Sequence, residues 1–467
     1  MDEILSFKLF FVPLQRKKEQ GISTNIEIMK KKFLLATLLM GVLTAHAGGL
    51  MTNTNYHIAF DRMMARGASF DIDAAYSNPA GLAWGHEGFQ LSLNFQKPWQ
   101  NRDIDVNMPN FLGQPYQQKY NGKASAPIVP AFFASWKKDR IAISTMIGIV
   151  GSGGFVEYED GIPMFNVPLT AMLAQKGLMP GQYTLDSQMK GKQYIYGGQL
   201  NVTYKLADFL SVAAGVRANY YDGYNRGHIV ADMQGTKLVN LQLDCIQRGW
   251  CFAPIIALDY HEGPITLAMR YEFRTKIETE NDTRELTAEI AGMSPAETAA
   301  IMGTKVQPYM DGAKTRYDMP SLLSIALGVD MTDKLRGTLE YHFFDDKHAK
   351  MANDRQKQLT HGTQEVLAGL EYDINDKFTI SCGGQHTDYG LSDGYQQNTS
   401  FACDSWSIGL GGAVNLNKHM RVNAGYFCSL YTDYDKHQTQ YQGTPFPGTE
   451  TYSRTNHVIG LGFDYRF

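Results

Sequence analysis

The chain ends on Val458-Ile459-Gly460-Leu461-Gly462-Phe463-Asp464-Tyr465-Arg466-Phe467. Successive side chains of a strand point to opposite faces. Ile459, Leu461, Phe463, Tyr465 and Phe467 therefore share one face, and Val458, Gly460, Gly462, Asp464 and Arg466 share the other. One face is wholly apolar and the other is small or charged, as a wall between hydrocarbon and a polar interior requires.

The same period of two opens the body of the protein, where Phe89, Leu91, Leu93 and Phe95 alternate with Gln90, Ser92, Asn94 and Gln96. It recurs near 130–137, 140–150, 193–206, 209–221, 251–260, 264–275, 321–331, 334–344, 364–374, 376–386, 403–415, 418–429 and 456–467. The reading is all-β, with about 14 strands. The connectors alternate between short turns, such as Ala207-Asp208, Thr332-Asp333 and Asn375-Asp376, and long stretches at 97–129, 151–192, 223–249, 276–320, 345–363, 387–402 and 430–455. An up-and-down antiparallel β-barrel crossing a membrane sorts its loops by parity in this way. A soluble sandwich or propeller does not.

Composition agrees. Of 467 residues, 43 are Lys or Arg and 47 Asp or Glu, a net charge of −4, which excludes a polyanion-binding surface. Charged residues make up 19% and hydrophobic ones 43%, which excludes a disordered chain. A mean hydropathy of −0.29 excludes a polytopic helical membrane protein. Glycine, tyrosine and phenylalanine, at 45, 26 and 24 residues, favour strands and turns over helical bundles.

Near the N-terminus, Met29 opens Lys30-Lys31-Lys32, an apolar run from Phe33 to Leu43, and Ala45-His46-Ala47. A charged region, a short apolar region and an A-x-A site read as a secretory signal peptide over 29–47. Residues 1–28 are then a start-site artefact, and the exported chain begins at Gly48. Cys245, Cys251, Cys382, Cys403 and Cys428 follow no metal-ligand spacing. No metal or cofactor is expected. Cys245 and Cys251 are close enough in sequence to pair, whereas strand parity puts Cys382 and Cys428 on the lipid side and Cys403 in the lumen.

Residues 48–88 lack strand alternation and contain Asn78-Pro79-Ala80-Gly81-Leu82 after an Asp- and Ala-rich stretch. Pro79 fixes its own φ and biases Asn78 to extended geometry, so this is a stiff turn. Together with the signal peptide, the strand count and the terminal Phe467, the Asn-Pro-Ala motif resembles the N-terminal hatch of the long-chain fatty-acid transporter (FadL, OMPP1/TodX) family. The resemblance covers the whole exported chain. It implies a 14-stranded barrel over 89–467 in the Gram-negative outer membrane, plugged by a hatch at 48–88. The terminal strand likewise resembles those that such barrels present to the barrel-assembly machinery.

The resemblance also implies a function: a monomer carrying hydrophobic small molecules, long-chain fatty acids or aromatic hydrocarbons, from apolar outer loops into the outer-membrane lipid. Leu169, Met172 and Leu173 on a short helix over 168–179, and Ile301 and Met302 on another over 294–303, are the expected loop contacts. The same residues would serve equally to pack the loops together. Gly148, Gly151, Gly153 and Gly154 mark a bulge or bend in the third strand. In the resembled family a kink there opens the wall sideways; a plain strand-to-loop transition is the alternative.

Strand parity points Arg217, Asn219, Arg270, Glu272, Arg336, Glu340, His342 and Glu371 into the lumen. Most such charges form structural ion pairs. A carboxylate substrate would need a cation, and Arg217, Arg270 and Arg336 are the candidates. Two other classes stay open, a general porin and a barrel-embedded lipid hydrolase, although no catalytic spacing stands out. No nucleic-acid motif competes.

Overall fold

The computed structural model describes residues 54–126, 128–294, 296–297 and 307–467. The expected signal peptide and start site lie outside these residues. Fourteen wall strands run β1 Gly88–Phe111, β2 Val129–Lys138, β3 Ile141–Tyr158, β4 Thr184–Ala207, β5 Leu210–Met233, β6 Thr236–Glu262 and β7 Ile265–Glu272. They continue as β8 Leu322–Asp330, β9 Leu335–Phe344, β10 Thr363–Asp373, β11 Phe378–Asp388, β12 Ser405–Asn415, β13 Met420–Tyr431 and β14 Gly448–Arg466. Every neighbouring pair is antiparallel. The barrel closes where β1 pairs with β14, from Gln90 opposite Arg466 to Asn107 opposite Thr449. Closure leaves no row of unpaired backbone donors in hydrocarbon, which an open edge could not tolerate.

The apolar face of each strand looks out. Leu93, Leu200, Leu370, Ile408, Leu410 and Ile459 are exposed midway along their strands. Phe89, Trp136, Tyr204, Phe378, Tyr465 and Phe467 form an aromatic belt at the short-turn end, and Trp99, Tyr196, Trp250 and Trp406 form one towards the long loops. No helix of the described residues is long and apolar enough to cross a membrane. The crossing is made by strands.

Several long connectors read from the sequence are strand instead. β6 has 27 residues, roughly 90 Å at about 3.3 Å per residue, far more than a bilayer core of about 30 Å. Its hairpin with β5 turns at Gln234-Gly235, so the expected loop at 223–249 is paired sheet standing above the membrane. Further hairpin arms at Gln114–Ser125 and Glu278–Ile290 extend the same wall.

Cys245 and Cys251 both lie on β6, six residues apart, which at about 3.3 Å per residue is about 20 Å and beyond disulfide reach. The expected pairing is therefore corrected: all five cysteines are free, with Cys382 exposed and Cys403 buried.

Residues 54–87 fill the short-turn half of the lumen. Helix α1, Ile58–Met63, packs on β10 to β14, and its Ile58, Phe60 and Met63 are at most 4% exposed. Each such side chain contributes about 1.5–3 kcal/mol. The wall opposite α1 is glycine. A Cβ at Gly369 or Gly383 would strike the Met63 carbonyl, and one at Gly425 would stand 2.9 Å from the Asp61 Cβ. Helix α2, Ala74–Ser77, leans on β2 and β3, and a 3-10 turn, Pro79–Trp84, leans on β3 to β6. The long-loop half holds a second core around Ile104, Val106, Tyr120, Phe401 and Tyr452, roofed by helix α3, Pro163–Gln175.

Candidate functional site

The plug is held by its own charges before it meets the wall. Arg66 grips Asp73 with two hydrogen bonds of 2.8 Å and reaches Ser69 at 2.7 Å and Asp71 at 3.0 Å. Desolvation alone would raise the Asp73 carboxyl, but the Arg66 guanidinium holds it below the usual carboxylate range. His57 meets Asp464 of β14 at 3.0 Å, and Arg62 pairs with Glu371 of β10.

Every residue of the Asn-Pro-Ala turn is bonded. Asn78 Oδ1 accepts from the Ala80 N–H at 3.3 Å, while Asn78 Nδ2 donates to the Leu258 carbonyl and to Asp259, each at 3.2 Å. The Pro79 and Ala80 carbonyls accept from the Thr203 and Ser211 hydroxyls at 2.7 Å. The motif clamps the plug to β4, β5 and β6.

Parity placed the lumen charges on the inner face, and the structure brings them together as pairs. Glu272 lies between Arg217 and Arg270, with Arg270 at 2.6 Å, and both guanidinium groups sit over the plug's Tyr76 ring at 5.5 and 4.9 Å. Arg336 bonds Glu371 and Asp373, each at 2.8 Å. All three candidate cations are thus already matched by carboxylates, and this favours the ion-pair reading of them.

Two arginines that the sequence reading passed over are not so matched. Arg102 of β1 and Arg454 of β14 stand directly opposite each other across the closing ladder. Arg102 is 1% exposed, gives one hydrogen bond of 3.0 Å to the Phe401 carbonyl, and lies 4.8 Å from that ring's centre. Its Nε and Nη1, and Nε of Arg454, meet no acceptor among the described residues. Tyr158, Phe401, Cys403 and Tyr452 are all buried in the surrounding core. Burial pushes the Cys403 thiol up to about 12, so it stays protonated and offers no counter-charge. Arg102 is buried, and Arg454 is half-buried with its guanidinium 4.7 Å from the Tyr431 ring centre; a cation held in apolar surroundings without a carboxylate is costly unless an anion joins it.

The wall itself is interrupted beside this core. Among the described residues, β3 pairs with β2 only from Ile141 to Ile147, and with the arm Gln114–Ser125 only from Val156 to Tyr158. Residues 148–155 lie between those two ladders. On its other side β3 pairs with β4 through two register shifts, at Ile149/Gly151 and Ser152/Gly154, with Gly154 at φ +71°. Gly151 and Gly154 thus sit at register shifts, whereas Gly148 pairs in regular register with Gly197. Met146, Val150 and Val156 are buried there, so the inner face beside the interruption is apolar.

The loop contacts differ from expectation. Helix α3 starts five residues before the expected 168–179 segment and carries Pro168 inside it. Leu169, Met172 and Leu173 are buried at 0%, 7% and 2% exposure rather than displayed, because α3 is apolar nearly all round and roofs the outer core. Ser294 and Glu297 form a reciprocal N-terminal cap, with Ser294 N–H to Glu297 at 2.8 Å. Ile301 and Met302 lie outside the described residues. The open cavity at the long-loop end measures 710 Å³ and is walled by Phe111, Tyr116, Met179 and Tyr183 together with Glu159 and Asp186.

Residues 293–467 match a family model described as outer membrane protein beta-barrel domain. No curated protein matches the chain. Among solved structures, a Pseudomonas aeruginosa FadL homologue is 16% identical with a TM-score of 0.66, covering 90% of this chain and 99% of its own. The Pseudomonas putida toluene transporter TodX is 12% identical with a TM-score of 0.54, covering 91% and 100%. The Ralstonia pickettii toluene transporter TbuX is 13% identical with a TM-score of 0.50, covering 85% and 94%. The FadL/TodX resemblance read from the Asn-Pro-Ala turn and the terminal strand holds at the level of the fold: the chain is a closed, fourteen-stranded outer-membrane β-barrel of the architecture these transporters share.

Proposed function

We propose that the chain is a transporter rather than an enzyme, and that it moves hydrophobic small molecules from the long-loop side into the outer membrane through the interruption between β2 and β3. The observation that carries this reading is an apolar-lined break in the wall beside a plug bonded to the wall on several sides. An apolar solute gains about 25 cal/mol per Å² on leaving water, so exit sideways into lipid is downhill where exit into the periplasm is not. Capture would fall to the aromatic walls of the 710 Å³ outer cavity. The pair Arg102 and Arg454 would hold an anionic head, which favours an amphiphilic carboxylate over a neutral hydrocarbon as cargo. A plugged lumen argues against the general-porin alternative.

The test exploits the edge of the break. An ideal Cβ at Gly148 stands 3.4 Å from the Ala131 Cβ, close to the span of a disulfide. An Ala131→Cys, Gly148→Cys variant should take up a radiolabelled fatty acid when reduced and lose about fivefold or more of that rate when oxidised, with recovery on reduction. Equal rates in both states would sink the lateral route. No uptake by wild type of any fatty acid or aromatic hydrocarbon would sink the transport reading itself.

A further inference from the structure

At the short-turn end, away from the cargo route, the turns after β10 and β12 and the end of β14 enclose a cavity of 380 Å³. That volume falls in the range of small-molecule sites. Lys377, Lys418, Arg421 and Arg466 line it, against the two carboxylates Asp376 and Asp464. Asp464 is already engaged, accepting from Ser92 Oγ at 2.6 Å and Asn423 Nδ2 at 2.7 Å and meeting His57 at 3.0 Å. Nε and Nη2 of Arg421 are buried and meet no acceptor among the described residues. The cavity therefore combines an excess of cations with an unanswered guanidinium edge, the geometry that takes two oxygens of one oxyanion.

We infer that this cavity is a binding site for a small oxyanion, a phosphate or carboxylate group, at the periplasmic mouth of the barrel. Arg466 is shared: its Nη2 lies 3.3 Å from Asp71 of the plug, so an occupant of the cavity touches the same cation that anchors the plug's base. The site is independent of the transport reading, because none of its residues lies on the β2–β3 break or near Arg102.

Inorganic phosphate is the probe. With the full chain in zwitterionic detergent at fixed ionic strength, the phosphorus NMR line of phosphate should broaden, and unlabelled acetate should compete. Lys418→Gln, in an exposed turn, should weaken the effect by about threefold, and Lys418→Gln with Arg421→Gln by about tenfold or more. Lys123→Gln, on an outer arm, should leave it unchanged. In nanodiscs, suppression of the signal by phosphatidylglycerol relative to phosphatidylcholine assigns the site to a lipid headgroup, and equal signals assign it to a soluble anion. No broadening with wild type, or equal broadening in wild type and the Lys418→Gln variant, would overturn the proposal.

Discussion

Arg102 and Arg454 face each other in the register that closes the barrel, and neither has a carboxylate partner among the described residues. If they wait for an anionic head, Arg102→Met should do two opposite things. Removing an unpaired buried charge should leave stability unchanged or raise it by about 1–4 kcal/mol. Binding of a fatty-acid carboxylate should weaken about tenfold or more, while a neutral hydrocarbon of equal length binds as before. Thermal unfolding and ligand titration in detergent check both. A loss of stability would show that the bond to the Phe401 carbonyl and the contact with its ring, and not a missing anion, set the role of Arg102.

The strand count, the outward parity and the plug were readable because inside the bilayer each strand keeps its apolar side to lipid, as Leu93 and Phe95 do. Above the bilayer the phase inverts. On the same strand the inward Ile104, Val106 and Met108 become the apolar face and Asp103, Asp105 and Asn107 the polar one, so 97–111 reads as a break in the pattern. Arg102 sits where the phase changes, inside a stretch whose pattern reads as loop. The three arginines singled out lie within the bilayer stretch, where inward charges are expected in pairs, and pairs are what the structure shows.

The glycine wall behind α1 gives a second test. At Gly383 an added methyl would meet the backbone carbonyl of Met63, which cannot swing aside like a side-chain tip, whereas nothing lies within 4 Å of a Cβ at Gly198. Gly383→Ala should cost about 1–3 kcal/mol or displace the plug, and Gly198→Ala should be neutral. Heat-modified gel mobility reports the barrel and single-channel conductance reports the plug. Equal behaviour of the two variants would mean that α1 is not seated against this wall.

At the Asn-Pro-Ala turn, Asn78 both accepts from Ala80 and donates to Asp259. Asn78→Ala loses these bonds, at about 1–3 kcal/mol. Asn78→Asp keeps an acceptor, and aspartate caps helices as well as asparagine, yet it would set a carboxylate against Asp259. The aspartate variant should therefore loosen the plug more than the alanine variant, read as more frequent channel openings in planar bilayers. The reverse order would mean that capping, and not the wall contact, is what Asn78 supplies.

The last test concerns pH and the loop between β9 and β10. Burial pushes the Asp346 carboxyl up to about 6, partly offset by hydrogen bonding from Thr363 and reinforced by Asp345 and Glu365. A carboxyl raised in the folded state adds stability while protonated. Its contribution is full below the unfolded value near 4 and is lost as pH rises through about 6. Asp346→Asn keeps an acceptor for the Thr363 N–H, 3.1 Å from Asp346 Oδ2 in the wild type, and cannot ionise. At pH 7.5 the variant should be the more stable protein by up to about 2–3 kcal/mol, and the gap should close towards pH 4. Melting temperatures of the two proteins across that range decide it, since parallel curves would place the Asp346 carboxylate in contact with water.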